Sequence, residues 1–432
     1  MTRQSTFKKQ IRARMAKTGE RYSTARLALL RAQATGPTPL HAGYPTDARV
    51  LTDLGALAAI LEAHGVQDPL TGAPFTETRL FGLSGGPGFM AFLFQYRGVG
   101  PMLTFTCRSF SLPGPVVERA LTHAGIAHEQ HTTGGAKGAA KALDAALAEG
   151  PVHLAVDQAT LPWLGLDPAW KGQWPRHVNV VGADDDTVQI HDGGLWSLRR
   201  DELDAARAGV KKAKHRMLHG FATATADPAD ATRDALRFYA ANMREAPFKG
   251  YANNFGLAGL SKTAERMADG RTKDGWGRIF STGPYAFRAL WRTWECVQVE
   301  LTGPAGGRLL FAEFLDEAAA QPGLGGLHEA ASLARRSADG FETLAGRAVE
   351  AGGELIEEAI ALTEAIDDAA RSGDPEQAAG VAALRAARSS LAERCTLDDV
   401  ARRNAFAGLA AAMDDVAGAE TALVRAVEAV VG

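Results

Sequence analysis

The stretch from Arg176 to Gly193, RHVNVVGADDDTVQIHDG, constrains this chain more than any other part of it. Val178, Val180 and Val181 have the β-branched pattern of a strand, and Ala183 to Thr187 is an Asp-rich turn. Val188 and Ile190 then alternate with polar neighbours as a second strand does. Antiparallel neighbours lie about 5 Å apart, so residues at the open end of such a hairpin can touch. On this reading His177 and Asp192 stand side by side. A carboxylate beside an imidazole fixes its tautomer and stabilises the imidazolium formed in acyl transfer. That chemistry then requires a nucleophile. A plainer reading makes His177 a hydrogen-bonded strand residue and Asp192 the close of a turn before Gly193 and Gly194.

The rest of the composition leaves few classes open. The 432 residues are enough for two or three domains with cores, and a net charge of -3 with 46% hydrophobic residues describes an ordinary soluble protein. No apolar run reaches the roughly eighteen residues of a membrane span, and the N-terminus lacks an apolar signal-peptide core, so a cytoplasmic location and no membrane partner are expected. Cys107, Cys296 and Cys395 are far apart, which predicts reduced, buried thiols and neither a zinc site nor a disulfide framework.

Charge is split unevenly. The first 35 residues carry nine Lys or Arg against Glu20 alone, a local +8, so the remainder carries -11. Phe7, Ile11 and Met15 recur every four residues and predict a basic helix with one apolar stripe; a second short helix could start at a Ser23 cap and run through Leu27 and Leu30. Such an arm, residues 1–40, suits an acidic carrier protein, or a solvated face around a docking stripe. It has no interleaved aromatics to stack bases, so nucleic acid ranks low.

Residues 41–221 read as mixed α and β. Asp53 can cap a helix from Leu54 to His64 that Gly65 ends, and further helices are predicted at Pro115 to Ala124 and Gly138 to Leu147. Strands are predicted at Met102 to Thr106 and Val152 to Val156, so that four strands with a few helices give an α+β arrangement. Between them LFGLSGGPGFMAFLFQY, Leu80 to Tyr96, is a glycine-rich bend leading into an apolar segment. It has no following Lys-Ser/Thr, and Pro87 removes a backbone donor, so it is not a phosphate loop and no cofactor is implied. Its glycines instead let the backbone pass close to a neighbour or a substrate, making Gly85, Gly86, Gly88 and Phe89 candidate substrate contacts. Beyond about Asp227 the chain is helical and alanine-rich, with a core that includes Phe280, Tyr285, Phe287, Trp291 and Trp294. It reads as a helical domain over 222–345 and a helical segment over 346–432, and its apolar periodicity is compatible with a homodimer.

Four stretches together resemble the N-terminal domain of the butirosin biosynthesis protein H family: GALAAILEAHG, LFGLSGGPGF, PVHLAVDQATLPW with Asp157, and RHVNVVGADDDTVQIHDG. WGRIFSTGPYAF, GPAGG and LLFAEFLDEAA are similar to the helical domain that commonly follows it. The resemblance implies a papain-like cysteine-peptidase fold domain followed by an all-α domain, and transfer of an amino-acyl group from an acyl carrier protein thioester to a small-molecule amine. It also places Asp157 among the substrate-binding residues. In that family a His-Cys pair precedes the first helix, the Cys being the nucleophile. This chain departs from the pattern, with Leu51 and Thr52 where His and Cys are expected.

Three explanations compete. Thr52 could act as an alkoxide, Cys107 beside Arg108 could substitute from another element, or the domain has kept its pocket and lost covalent catalysis. Three functions follow: an acyltransferase of secondary metabolism with His177 as base and Asp192 as its orienter; a pseudoenzyme that holds a peptide, carrier arm or small ligand; and, ranked last, amide hydrolysis.

Overall fold

The computed structural model describes residues 4–32, 39–47, 49–95, 100–108, 115–300 and 302–432. Tyr96, which ends the predicted apolar segment, lies outside them. The chain opens with α1 (Gln4–Thr18) and α2 (Tyr22–Arg31), where Phe7, Ile11, Leu27 and Leu30 are buried as the four-residue spacing requires. Arg21 rather than Ser23 occupies the α2 cap; Ser23 is buried and its hydroxyl donates to Gln298 at 3.0 Å.

A mixed region follows: α3 (Thr52–Ala63), α4 (Glu77–Leu83), β1 (Pro87–Phe94), β2 (Met102–Arg108), α5 (Pro115–His123), β3 (Glu129–His131), α6 (Ala136–Leu147) and β4 (Val152–Asp157). It continues through β5 (Pro175–Ala183), β6 (Thr187–Asp192), β7 (Gly194–Arg199), α7 (Arg200–Gly209) and β8 (Met217–His219). β1 and β2 form a separate two-stranded sheet. The remaining strands make one antiparallel sheet in the order β3-β8-β4-β5-β6-β7.

Side-chain alternation divides that sheet into two faces. Val152, Leu154, Val156, Val178, Val180 and Ile190 pack on one side with Leu143 of α6 and Leu203 of α7. On the other side Val181 and Leu195 meet Ala59 of α3. Every residue of β4 is buried, as expected of a strand covered on both faces.

The second half is helical: α8 (Pro228–Arg244), α9 (Gly256–Ala268), α10 (Trp276–Ile279), α11 (Gly283–Gln298), α12 (Arg308–Ala319), α13 (Leu327–Arg371), α14 (Pro375–Ala379), α15 (Val381–Ser390) and α16 (Asp399–Val431). Asp227, Thr282 and Asp398 accept backbone N–H groups at the starts of α8, α11 and α16, in the manner of N-caps. The 45-residue α13 breaks its helical geometry at Gly353, where φ is 56°. Phe280, Phe287 and Trp294 are buried, while Tyr285 and Trp291 pack against the same core from its edge. That core also takes in Phe7 of α1, Leu57 of α3, Phe105 of β2 and Val431 of α16, so arm, mixed region and helices share it.

Several basic residues of the arm are answered within the chain. Lys8 and Arg12 reach Glu357 of α13, Arg26 reaches Asp367 at 3.4 Å, and Arg31 reaches Glu313 of α12 at 2.8 Å. Among the described residues no helix is long and apolar enough to cross a membrane.

Candidate functional site

The site forms where α3 begins, against the sheet face that α3 covers. Leu51 is the N-cap residue, so Thr52 and Asp53 lie inside the first turn, and the predicted Asp53 cap is corrected: its carboxylate meets Arg108 instead. Arg108 Nη1 donates to both Asp53 oxygens at 2.9 and 2.7 Å, and the Leu54 N–H donates to Asp53 Oδ1 at 2.7 Å. Burial acts to raise the Asp53 carboxyl, but the Arg108 charge and these bonds outweigh it and hold the group below the usual carboxylate range. Thr52 is half-buried at the first helical position.

His177 stands on β5 facing this turn. Burial pushes its imidazole below its ordinary value, Asp53 opposes that shift, and Arg108 adds to it, so the ring is neutral at pH 7. Its Nδ1 is buried without a hydrogen-bond partner. Pairing of Ala155 with His177 and of His153 with Asn179 puts His153 diagonally across from His177 on the same face, and the two rings stack with centroids 5.3 Å apart.

A directed hydrogen-bond chain lies behind the pair. Asn179 Nδ2 donates to Ala56 O of α3 at 2.6 Å and to the Tyr44 hydroxyl at 2.7 Å, which leaves Asn179 Oδ1 to accept from His153 Nδ1 at 2.7 Å. The Tyr44 hydroxyl in turn donates to His191 Nδ1 at 2.8 Å. Asn179 therefore sets both tautomers. Burial lowers His153 to about 3 and His191 to about 4, so both rings are neutral, and a neutral His191 leaves its Nδ1 free to accept from Tyr44. His153, Asn179, His191 and Tyr44 went unmarked in the sequence; the signal was present in the alternation of His177 with Asn179 along β5.

Asp192 is not brought to His177. It is buried on the opposite face, where Arg176 Nε donates to it at 2.7 Å and Trp163 Nε1 donates at 2.7 Å, with Trp163 stacked on Trp196. A bulge causes this. Ala183 pairs with Val188 and Gly182 with Gln189, but after the shift Val180 pairs with Ile190 and Asn179 with His191. Continuing the first register would have left His177 and Asp192 on one face, whereas the one-residue slip sets Asp192 on the face of Val178. The carboxylate that does approach His177 is Asp53.

The other predicted contacts are covered by protein. Gly85 has φ +95° and a Cβ there would meet Phe238 at 2.4 Å; Gly86 has φ +60° and faces Phe311 at 2.7 Å. Gly88 O accepts from Arg308 at 2.9 Å, and buried Phe89 packs on Phe105. The bend thus brings the backbone close to protein neighbours. Asp157 is buried and caps its own turn, accepting from Ala159 N–H at 3.1 Å and Gly172 N–H at 2.7 Å.

No thiol serves the site. Alternation along β2 sends Cys107 toward Gly306 while Arg108 extends to Asp53, and burial pushes the Cys107 thiol up to about 12. Cys296 and Cys395 are buried elsewhere. Among the described residues no group of three or more His, Cys, Asp or Glu is placed to hold a metal ion.

Residues 52–193 match the family described as butirosin biosynthesis protein H, N-terminal, and residues 201–382 match a domain of unknown function, DUF4872. No curated protein matches the chain.

Proposed function

The chain belongs to the butirosin biosynthesis protein H family, and from that premise we propose that it acts in antibiotic biosynthesis by transferring an acyl or aminoacyl group from a thioester to an amine. The observation that carries this reading is a neutral His177 facing the first turn of α3 with no thiol beside it. A helix start set against a strand histidine, with an antiparallel sheet behind, is the papain-like arrangement, and we assign the mixed region to it.

The reaction is direct aminolysis. The amine nitrogen attacks the thioester carbonyl carbon while the His177 imidazole takes the proton it sheds; the C–S bond then breaks, an amide forms, and the imidazolium returns the proton to the departing sulfur. A thioester is already an activated acyl group, so positioning and a base can replace a covalent intermediate. Unlike the Leu54 N–H, which Asp53 accepts, the N–H groups of Thr52 and Asp53 have no backbone acceptor within α3, and with the helix dipole they favour the negative charge that develops on the carbonyl oxygen. The acyl donor fits a carrier-protein thioester and the acceptor a small amine.

Locking of Asp53 to Arg108 favours a second reading, a pseudoenzyme that binds a carrier arm or small ligand at the same place. Turnover of a simple acyl thioester with an amine acceptor separates the two. Direct aminolysis predicts that His177→Ala loses at least about a hundredfold in kcat. It also predicts that a variant with all three cysteines replaced by serine keeps its rate, with no acyl-enzyme burst. Absence of turnover together with a thermal shift on thioester binding would favour the binding reading; loss of activity in the cysteine-free but folded variant would contradict direct aminolysis.

A further inference from the structure

We propose that Arg371, at the C-terminal end of α13, is a positioning residue for this site: with Glu77 it clamps the peptide that leads into α3. The functional meaning of the clamp rests on the site reading above; the clamp itself does not.

The residues before Thr52 present buried backbone groups that belong to no helix or sheet. Arg371 Nη1 donates to Arg49 O at 2.9 Å and Nη2 to Val50 O at 3.2 Å, so the planar fork takes two successive carbonyls. Opposite it, the Glu77 carboxylate of α4 accepts the Val50 N–H at 2.9 Å and the Leu51 N–H at 3.0 Å, taking two successive amides. Val50 and Leu51 are buried, so these groups have no ready exchange with water. One guanidinium and one carboxylate thus fix both sides of the extended segment that sets where Thr52 and Asp53 begin.

Arg371 is itself held. Asp367, one turn back on α13, accepts from Arg371 Nε at 2.9 Å and also pairs with Arg26 of α2 at 3.4 Å. The β6–β7 turn closes over the arginine so tightly that a Cβ on Gly194 would lie 2.4 Å from Arg371 O. Arg371 comes from the stretch matching DUF4872, while Glu77 and α3 come from the stretch matching the N-terminal family domain. The helical half therefore supplies a part of the site that the sheet half lacks. Lysine keeps the charge but cannot span two carbonyls with a planar fork.

Hydrogen exchange of the full-length protein, followed by mass spectrometry on peptides covering 49–57, tests this in Arg371→Ala, Arg371→Lys and Glu77→Gln. Loss of a charge-assisted bond predicts exchange about tenfold faster at 49–57 in each, with peptides from α8 and α16 unchanged. Turnover, where present, should fall in kcat with KM within about twofold. If Arg371→Ala fails to fold, the lysine and Glu77→Gln variants carry the test. Unchanged exchange at 49–57 in folded variants, or an equal rise throughout the chain, would overturn the proposal. An inactive wild-type protein with faster local exchange in the variants would overturn only the acyl-transfer reading.

Discussion

Three histidines on one sheet face, His153, His177 and His191, are held neutral by burial, and His191, whose Nδ1 accepts the Tyr44 O–H, cannot take a proton there without losing that bond. The consequence for stability has a definite sign. In the unfolded chain these rings take up protons near their ordinary value of about 6.5. In the folded protein His191 waits until about 4 and His153 until about 3. Stability is therefore full above about pH 6.5 and falls as pH drops toward those lower values. Urea midpoints should decline between pH 6.5 and 4.5, and His191→Gln should flatten that decline; a wild-type midpoint that stays level across the window would contradict the assignment. At this scale the sequence was half legible. His177 stood out because it opened a hairpin, and its partner was misassigned because a single extra residue near Gly182 reverses which side chains share a face. Asp53 and Arg108 were both visible, but only the fold brings β2 to the start of α3.

Elements were read best where they carried a clean period. The amphipathic α1 and α2, α3, α5 and α6, and the β5–β6 hairpin lie close to their predicted places. β1 is uniformly apolar, so periodicity alone could not separate it from a buried helix segment, and β3 and β8 span three residues each. The glycine-rich bend was legible as a bend, yet what presses on it could be learned only from α8 and α12, which bring Phe238 and Phe311. Its left-handed backbone and close packing make a strong demand. Gly85→Ala should cost about 2–4 kcal/mol by combining an unfavourable φ with overpacking. Gly134→Ala, at a position with open space, should change stability by less than about 0.5 kcal/mol. Equal thermal midpoints for the two variants would show that the bend is not held as described.

Across the whole molecule the sheet works as a partition. The face toward α3 carries His153, His177, Asn179 and His191, and the face toward α6 and α7 carries Val178, Ile190 and Asp192, the last tied to Trp163 and Arg176. Helices from the second half reach around to the start of α3 through Arg371, and one hydrophobic core joins the arm, the mixed region and the helical half. The proposed chemistry thus belongs to one face, and the Asp192 contacts to Trp163 and Arg176 to the other. The pKa of His177, read by NMR in otherwise folded protein, tests that division most directly. Asp53→Asn should lower it, because the neighbouring carboxylate that favours the imidazolium is gone while Arg108 remains; Asp192→Asn should leave it in place. A His177 that responds to Asp192→Asn and ignores Asp53→Asn would contradict the account.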